Sequence, residues 1–121
     1  MFYRIKIYLL LTLLGVGIGA CSREPDLTGV PEVTYSNDIK RILNGNCNFP
    51  ACHGVGGGEG GLNTYEEVMG QVMPGDARGS YLYRLVTERT AVKMPPSGYP
   101  RVSQEDIRLI YLWIEQGAKN N

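Results

Sequence analysis

The sequence predicts an all-α domain in which a few short helices are joined by long loops. Three observations lead there. Apolar residues recur at helical spacing behind residues suited to helix starts, in Ile39, Ile42 and Leu43 and again in Ile107, Ile110, Tyr111 and Ile114. No segment keeps the apolar and polar alternation of a half-buried strand, and no internal repeat is visible. Finally, 16 glycines and 7 prolines among 121 residues supply many turns.

The chain opens on a segment that reads as an address. Arg4 and Lys6 form a basic start, Ile7 to Leu14 an apolar stretch, and Ile18-Gly19-Ala20 a small-residue approach to Cys21. This is the pattern of a secretory signal over residues 1–20. A cysteine directly after the small residues resembles the bacterial lipoprotein box, which implies acylation at Cys21 and a mature chain beginning there. Two or three acyl chains anchor stably where one does not, at ~0.8 kcal/mol per buried CH₂. An uncleaved membrane helix fits less well. Ile7 to Ala20 falls short of the ~20 apolar residues a span requires, and it contains Gly15, Gly17 and Gly19.

Residues 21–33 are expected to be the acylated cysteine and a flexible tether, because the stretch from Ser22 holds two prolines, a glycine and few large apolar groups. The domain proper is expected over 34–121. Its first helix runs from Tyr35 to Asn44, with Ser36, Asn37 and Asp38 as caps or first-turn residues and Gly45 as the stop. From Gly54 to Gly61 six of eight residues are glycine, too flexible for regular structure. Thr64-x-x-Glu67 is a capping box for a short helix to about Met69. Ser80 is placed to cap another, with Tyr81, Leu82 and Leu85 on its apolar side. In the last helix Ser103 is the N-cap, Glu105 and Asp106 favour the positive end of the dipole, and Gly117 ends it.

Charge narrows the function classes. Lys+Arg and Asp+Glu both total 12, and removal of residues 1–20 leaves 10 basic against 12 acidic side chains with no basic run. Nucleic-acid binding is therefore not expected. One histidine excludes any mechanism needing two imidazoles from this chain. A core this small also calls for a staple, whether disulfide, metal, cofactor or partner.

Cys47-Asn48-Phe49-Pro50-Ala51-Cys52-His53 supplies the candidate. Two thiols with a histidine directly after the second is the arrangement of a c-type haem attachment site, normally C-x-x-C-H. Each thiol adds its sulfur and its hydrogen across one vinyl double bond to leave a thioether, and the adjacent imidazole serves as an axial ligand. The loop here is two residues longer than the standard one, so the extra residues must bulge, and Pro50 stiffens the detour. With the one histidine used, a second axial ligand has to be a thioether. Met94, held by Pro95 and Pro96, is the choice; Met73 is the runner-up, and it lies 20 residues past His53 against 41 for Met94. Met69 is assigned to the core, as are Trp113 and the tyrosines. Other readings fit less well. A Cys47–Cys52 disulfide would leave His53 idle, structural zinc wants four ligands, and the glycine run lacks the Gly-Lys-Ser/Thr ending of a phosphate loop.

The order of these motifs is helix, Cys-x4-Cys-His, glycine-rich loop, Pro-Gly-Asp, Ser-x-Leu-Tyr, Met-Pro-Pro, Ser-x-Glu-Asp-Ile and Trp-Ile-Glu-x-Gly-Ala. Over about Val33 to Ala118 it resembles the small monohaem cytochrome c domains of planctomycete-type and related bacterial proteins. The resemblance implies a cytochrome c-like fold around one covalent haem c, with Cys47 and Cys52 as attachment points and His53 and Met94 as axial ligands. It also implies that the last helix, Gln104 to Gln116 with Trp113, packs across the helix preceding the haem motif.

With both axial positions filled, the iron suits one-electron transfer and not peroxide or oxygen chemistry. The expectation is thus an electron carrier rather than an enzyme. It would be an exported lipoprotein on the periplasmic side of a membrane, passing electrons between redox proteins through small, weak interfaces. Ser22, in place of the Asp linked to inner-membrane retention, leans towards the outer membrane. The rival expectations are an electron-transfer subunit docked to an exported oxidoreductase, and a haem-free scaffold with a Cys47–Cys52 disulfide.

Overall fold

The computed structural model of the chain describes residues 25–58 and 60–121. The expected signal peptide and the acylation site Cys21 lie outside these residues. Among the described residues the regular elements are all helical, with no strand, and no helix is long and apolar enough to cross a membrane.

The first helix opens as a π turn, Tyr35–Ile39, and continues as α1, Lys40–Asn46. Its N-cap is Thr34, and Ser36, Asn37 and Asp38, expected as caps or first-turn residues, fall in the first turn. Thr34 Oγ1 accepts from the Asn37 N–H at 3.4 Å, while the Thr34 N–H and hydroxyl both donate to Asp38 Oδ2 at 2.8 and 3.0 Å. Threonine and aspartate thus cap one another, and Asp38 sits where the dipole favours an anion. Gly45 does not stop the helix. The Asn46 amide donates to the Ile42 carbonyl at 2.8 Å and the Cys47 N–H to Leu43 at 2.8 Å, so the last turn is closed beyond the glycine. A glycine costs only ~1 kcal/mol in a helix, less than burial of Ile42 and Leu43 just before it contributes.

Helix α2, Tyr65–Met69, has the reciprocal capping box expected of Thr64 and Glu67. Helix α3, Tyr81–Val86, starts at Ser80, but the Ser80 hydroxyl makes no cap bond. It is fully buried instead. It accepts from the Met73 N–H at 2.8 Å and donates to the Asp76 carbonyl at 2.8 Å, stitching the Met73–Ser80 loop. A hydroxyl placed among unpaired loop groups satisfies more of them there than at the helix start.

The longest helix is α4, Gln104–Glu115, capped by Ser103 as expected. It ends in a Schellman arrangement, with the Ala118 N–H on the Trp113 carbonyl at 2.8 Å and Gly117 N–H on Ile114 at 3.0 Å. Gly117 carries the positive φ of 97° that this ending requires. α4 packs against both the Tyr35–Ile39 turn and α3. Its inner face buries Ile110, Trp113 and Ile114 against Ile39, Ile42, Leu43 and Val68. Tyr35 meets Tyr65 edge-on at 5.2 Å and Trp113 at 5.8 Å, which makes an aromatic centre for the core.

The folded part reaches further towards the N-terminus than the expected boundary at residue 34. Val33 is only 5% exposed. Its N–H donates to Gln116 Oε1 at 2.8 Å, the Gln116 amide donates to the Pro31 carbonyl at 2.9 Å, and Lys119 Nζ meets Glu32 Oε1 at 2.7 Å. Composition alone reads Pro31–Val33 as linker; one buried valine and a glutamine 83 residues away hold it in place. Beside it, Asn121 receives the Tyr35 and Ser36 N–H groups on its side-chain and main-chain oxygens, both at 2.9 Å.

Candidate functional site

The candidate residues lie on segments that the short helices leave between them. Helix α1 delivers Cys47 at its C-terminal end, where the chain turns out of the helix. The residues between the two cysteines form the expected bulge, a turn closed by the Cys52 N–H on the Phe49 carbonyl at 2.9 Å with Pro50 at its second position. The His53 N–H returns to the Cys47 carbonyl at 3.3 Å, and the Gly54 N–H to Phe49 at 3.0 Å. The longer spacing is thus taken up by a compact loop whose two ends meet.

The glycine-rich run folds back over this loop. The Leu62 N–H and the Asn63 side-chain amide both donate to the His53 carbonyl, each at 3.1 Å, and the Asn48 amide donates to the Leu62 carbonyl at 2.9 Å. Gly57 sits so close that a Cβ there would overlap the Cys52 carbonyl oxygen. The abundance of glycine is therefore a packing requirement at this point and not only looseness.

The return of the chain also orients the imidazole. His53 Nδ1 lies 2.8 Å from the Gly60 carbonyl oxygen. A carbonyl can only accept, so Nδ1 carries the hydrogen and Nε2 keeps its lone pair. That is the usual support of a metal-binding imidazole, in which the nitrogen away from the metal donates to a carbonyl.

Cys47, Cys52, His53 and Met94 all line one cleft of about 680 Å³. The volume falls in the ~300–1,000 Å³ range of small-molecule and cofactor sites. Its walls are mainly apolar, with Leu62 from the returning loop, Leu82, Leu85 and Val86 from α3, and Val92 and Pro95 from the segment carrying Met94. Met73 is not among the lining residues and is 55% exposed, while Met69 packs against the core. The structure thus brings together the four residues singled out first and leaves out the runner-up. Trp113 is in the core, away from the cleft, as expected.

Both thiols are free and half-buried. Burial, with Cys52 nearby as a smaller influence, pushes the Cys47 thiol up to about 11. At neutral pH it therefore rests as the thiol, the form that adds its sulfur and hydrogen across a double bond. Among the described residues no group of three or more His, Cys, Asp or Glu side chains is arranged to hold a metal ion. A haem iron asks for a different set, one imidazole and one thioether facing a broad apolar slot, and that set is what lines this cleft.

The segment carrying Met94 is tied to the end of α3. The Met94 N–H reaches the Leu85 carbonyl at 3.5 Å, Arg101 donates to the Pro95 carbonyl at 2.8 Å, and Glu88 pairs with Lys93 at 3.1 Å and Arg101 at 3.2 Å. The hydrogen bond from Lys93 and the charge of Arg101 hold the Glu88 carboxyl below its ordinary range. Sequence reading missed these ties and the Gly60 contact. An acid within 13 residues of two bases is too common a pattern to single out, and a backbone acceptor leaves no residue-type signal.

No family model matches the chain, and no curated protein or solved structure matches it either.

Proposed function

We propose that this chain is a membrane-anchored monohaem c-type cytochrome with a cytochrome c-like fold, carrying single electrons between redox proteins on the periplasmic side of a membrane. The observation that carries the reading is that Cys47, Cys52, His53 and Met94 line one and the same mainly apolar cleft. Support also comes from the bond between His53 Nδ1 and Gly60, which leaves Nε2 free to ligate. Cys47 and Cys52 would hold the haem through two thioethers, and His53 and Met94 would take the axial positions. When bound, the haem would supply a reversible one-electron couple, with a potential that thioether ligation raises.

The protein's own part is positioning and exclusion of water. α1 and the turn at Pro50 set the two thiols, the glycine-rich return fixes the imidazole plane, and the ties to Glu88 and Leu85 hold the Met94 segment against α3. The apolar wall from α3 keeps water from the slot, and so disfavours the more highly charged oxidised state. Cys21, acylated, would keep the domain near its partners at the membrane.

Haem staining after denaturing electrophoresis of the full chain, expressed with export and haem attachment, tests the proposal. A stained band that survives denaturation is expected, with a c-type α-band on reduction. An unstained band with titratable Cys47 and Cys52 thiols, or with a disulfide between them, would overturn it.

A further inference from the structure

Between the loop that holds Cys47 and Cys52 and the segment that holds Met94, no hydrogen bond is made among the described residues. One aromatic contact spans the gap. Phe49, which opens the turn in the bulge, lies with its ring centroid 6.5 Å from that of Tyr99, the planes tilted by 32°. Both rings line the mouth of the cleft, and both are substantially exposed, Phe49 at 40% and Tyr99 at 51%. Tyr99 belongs to the Met94 segment through its N–H on the Pro96 carbonyl at 3.2 Å, three residues back. Phe49 belongs to the attachment loop through its carbonyl, which accepts from both Cys52 and Gly54.

Two exposed aromatic rings facing one another across an opening need a reason, since each would otherwise be an isolated apolar surface. Offset or tilted pairs at 4.5–7 Å attract beyond simple burial. On the other side the Met94 segment is fastened to Leu85 of α3 and, through Arg101, to Glu88 just beyond that helix. On this side it has the ring pair.

We infer that Phe49 and Tyr99 form a clasp that closes the attachment loop onto the Met94 segment, making them positioning residues for Met94 and controlling access of outside ligands to the cleft. The longer spacing between the cysteines then has a use, because the bulge is what carries Phe49 out to the mouth. The coupling of the two loops stands on the geometry alone; only the role of Met94 as a ligand rests on the haem reading above.

Two readouts on the full chain test the clasp. The first is hydrogen exchange at the Met94 and Tyr99 amides. Phe49→Ala and Tyr99→Ala should each speed it by about 2- to 12-fold, the range an aromatic pair confers. The double variant should be no faster than either single one, because each change already removes the pair, and Tyr99→Phe should behave as the parent. The second is imidazole binding to the haem-loaded chain. If Met94 must swing away first, apparent affinity rises in the alanine variants by the same factor. Unchanged exchange in the single variants, or single effects that multiply in the double one, would overturn the clasp. Faster exchange with unchanged imidazole affinity would overturn the control of ligand access. A parent chain that takes up no haem would instead remove the ligand role of Met94, leaving the exchange result to decide the loop coupling.

Discussion

His53 and Gly60 meet through a 2.8 Å contact between imidazole Nδ1 and a backbone carbonyl oxygen. Six residues, four of them glycine, separate them, so the loop that follows the histidine also sets its tautomer. In the haem-free chain, neutral His53 is expected as the Nδ1–H form. Nitrogen-15 NMR of labelled histidine reads this directly, and a dominant Nε2–H form would contradict the assignment.

Gly57 offers a sharp packing test. A methyl there meets the Cys52 carbonyl oxygen, whereas at Gly58 it meets nothing within 4 Å. Gly57→Ala is expected to cost about 1–3 kcal/mol, the usual penalty for overpacking, and to lower haem incorporation because Cys52 must move. Gly58→Ala should stay within about 0.5 kcal/mol of the parent. Urea melts and haem content per chain provide the comparison.

The two thioethers make opposite predictions. Met94 lines the cleft and Met73 does not. Met94→Ala should remove the weak thioether-to-iron absorption band of the oxidised protein, and Met73→Ala should leave it in place. A band lost with Met73 and kept without Met94 would reverse the axial assignment.

Asp106 links the start of α4 to α1. Burial is the largest single influence and pushes its carboxyl up, but the hydrogen bonds from Arg41 and Ser103 and the charge of Arg41 together outweigh it and hold the group below the ordinary value. A carboxyl lowered in the folded state contributes stability that is present above its unfolded value near 4 and is lost as pH falls through the lower, folded value. Asp106→Asn should therefore cost ~0.5–1 kcal/mol at pH 7, as befits a partly exposed pair. That cost should shrink on acidification below about pH 4. Denaturant midpoints at pH 7 and pH 3 check it, and an equal cost at both values would argue against the ionic part.

Much of the helical content was legible because its signals are local. Thr64 with Glu67 and Ser103 with Asp106 are contiguous patterns, and each has the hydrogen bonds that its spacing implies. The candidate site was legible by residue chemistry, since thiols, an imidazole and a proline-braced thioether are scarce in this chain. What escaped was non-local. Ser80 looks like a cap by type, but its hydroxyl goes to Met73 and Asp76, which only the folded loop brings near. Gly45 looks like a stop, yet burial of the preceding turn carries the helix past it. Val33 has a linker's neighbours and a core residue's partners.

The bonds between Pro31–Val33 and the end of α4 have a mechanical meaning. Tension on the chain ahead of Pro31 passes through Gln116 and Lys119 into the longest helix, where the Val33, Pro31 and Glu32 contacts resist it together. None of these residues borders the cleft. Load on this end of the chain is therefore shared with the end of the longest helix, at a place apart from the loop carrying Cys47, Cys52 and His53.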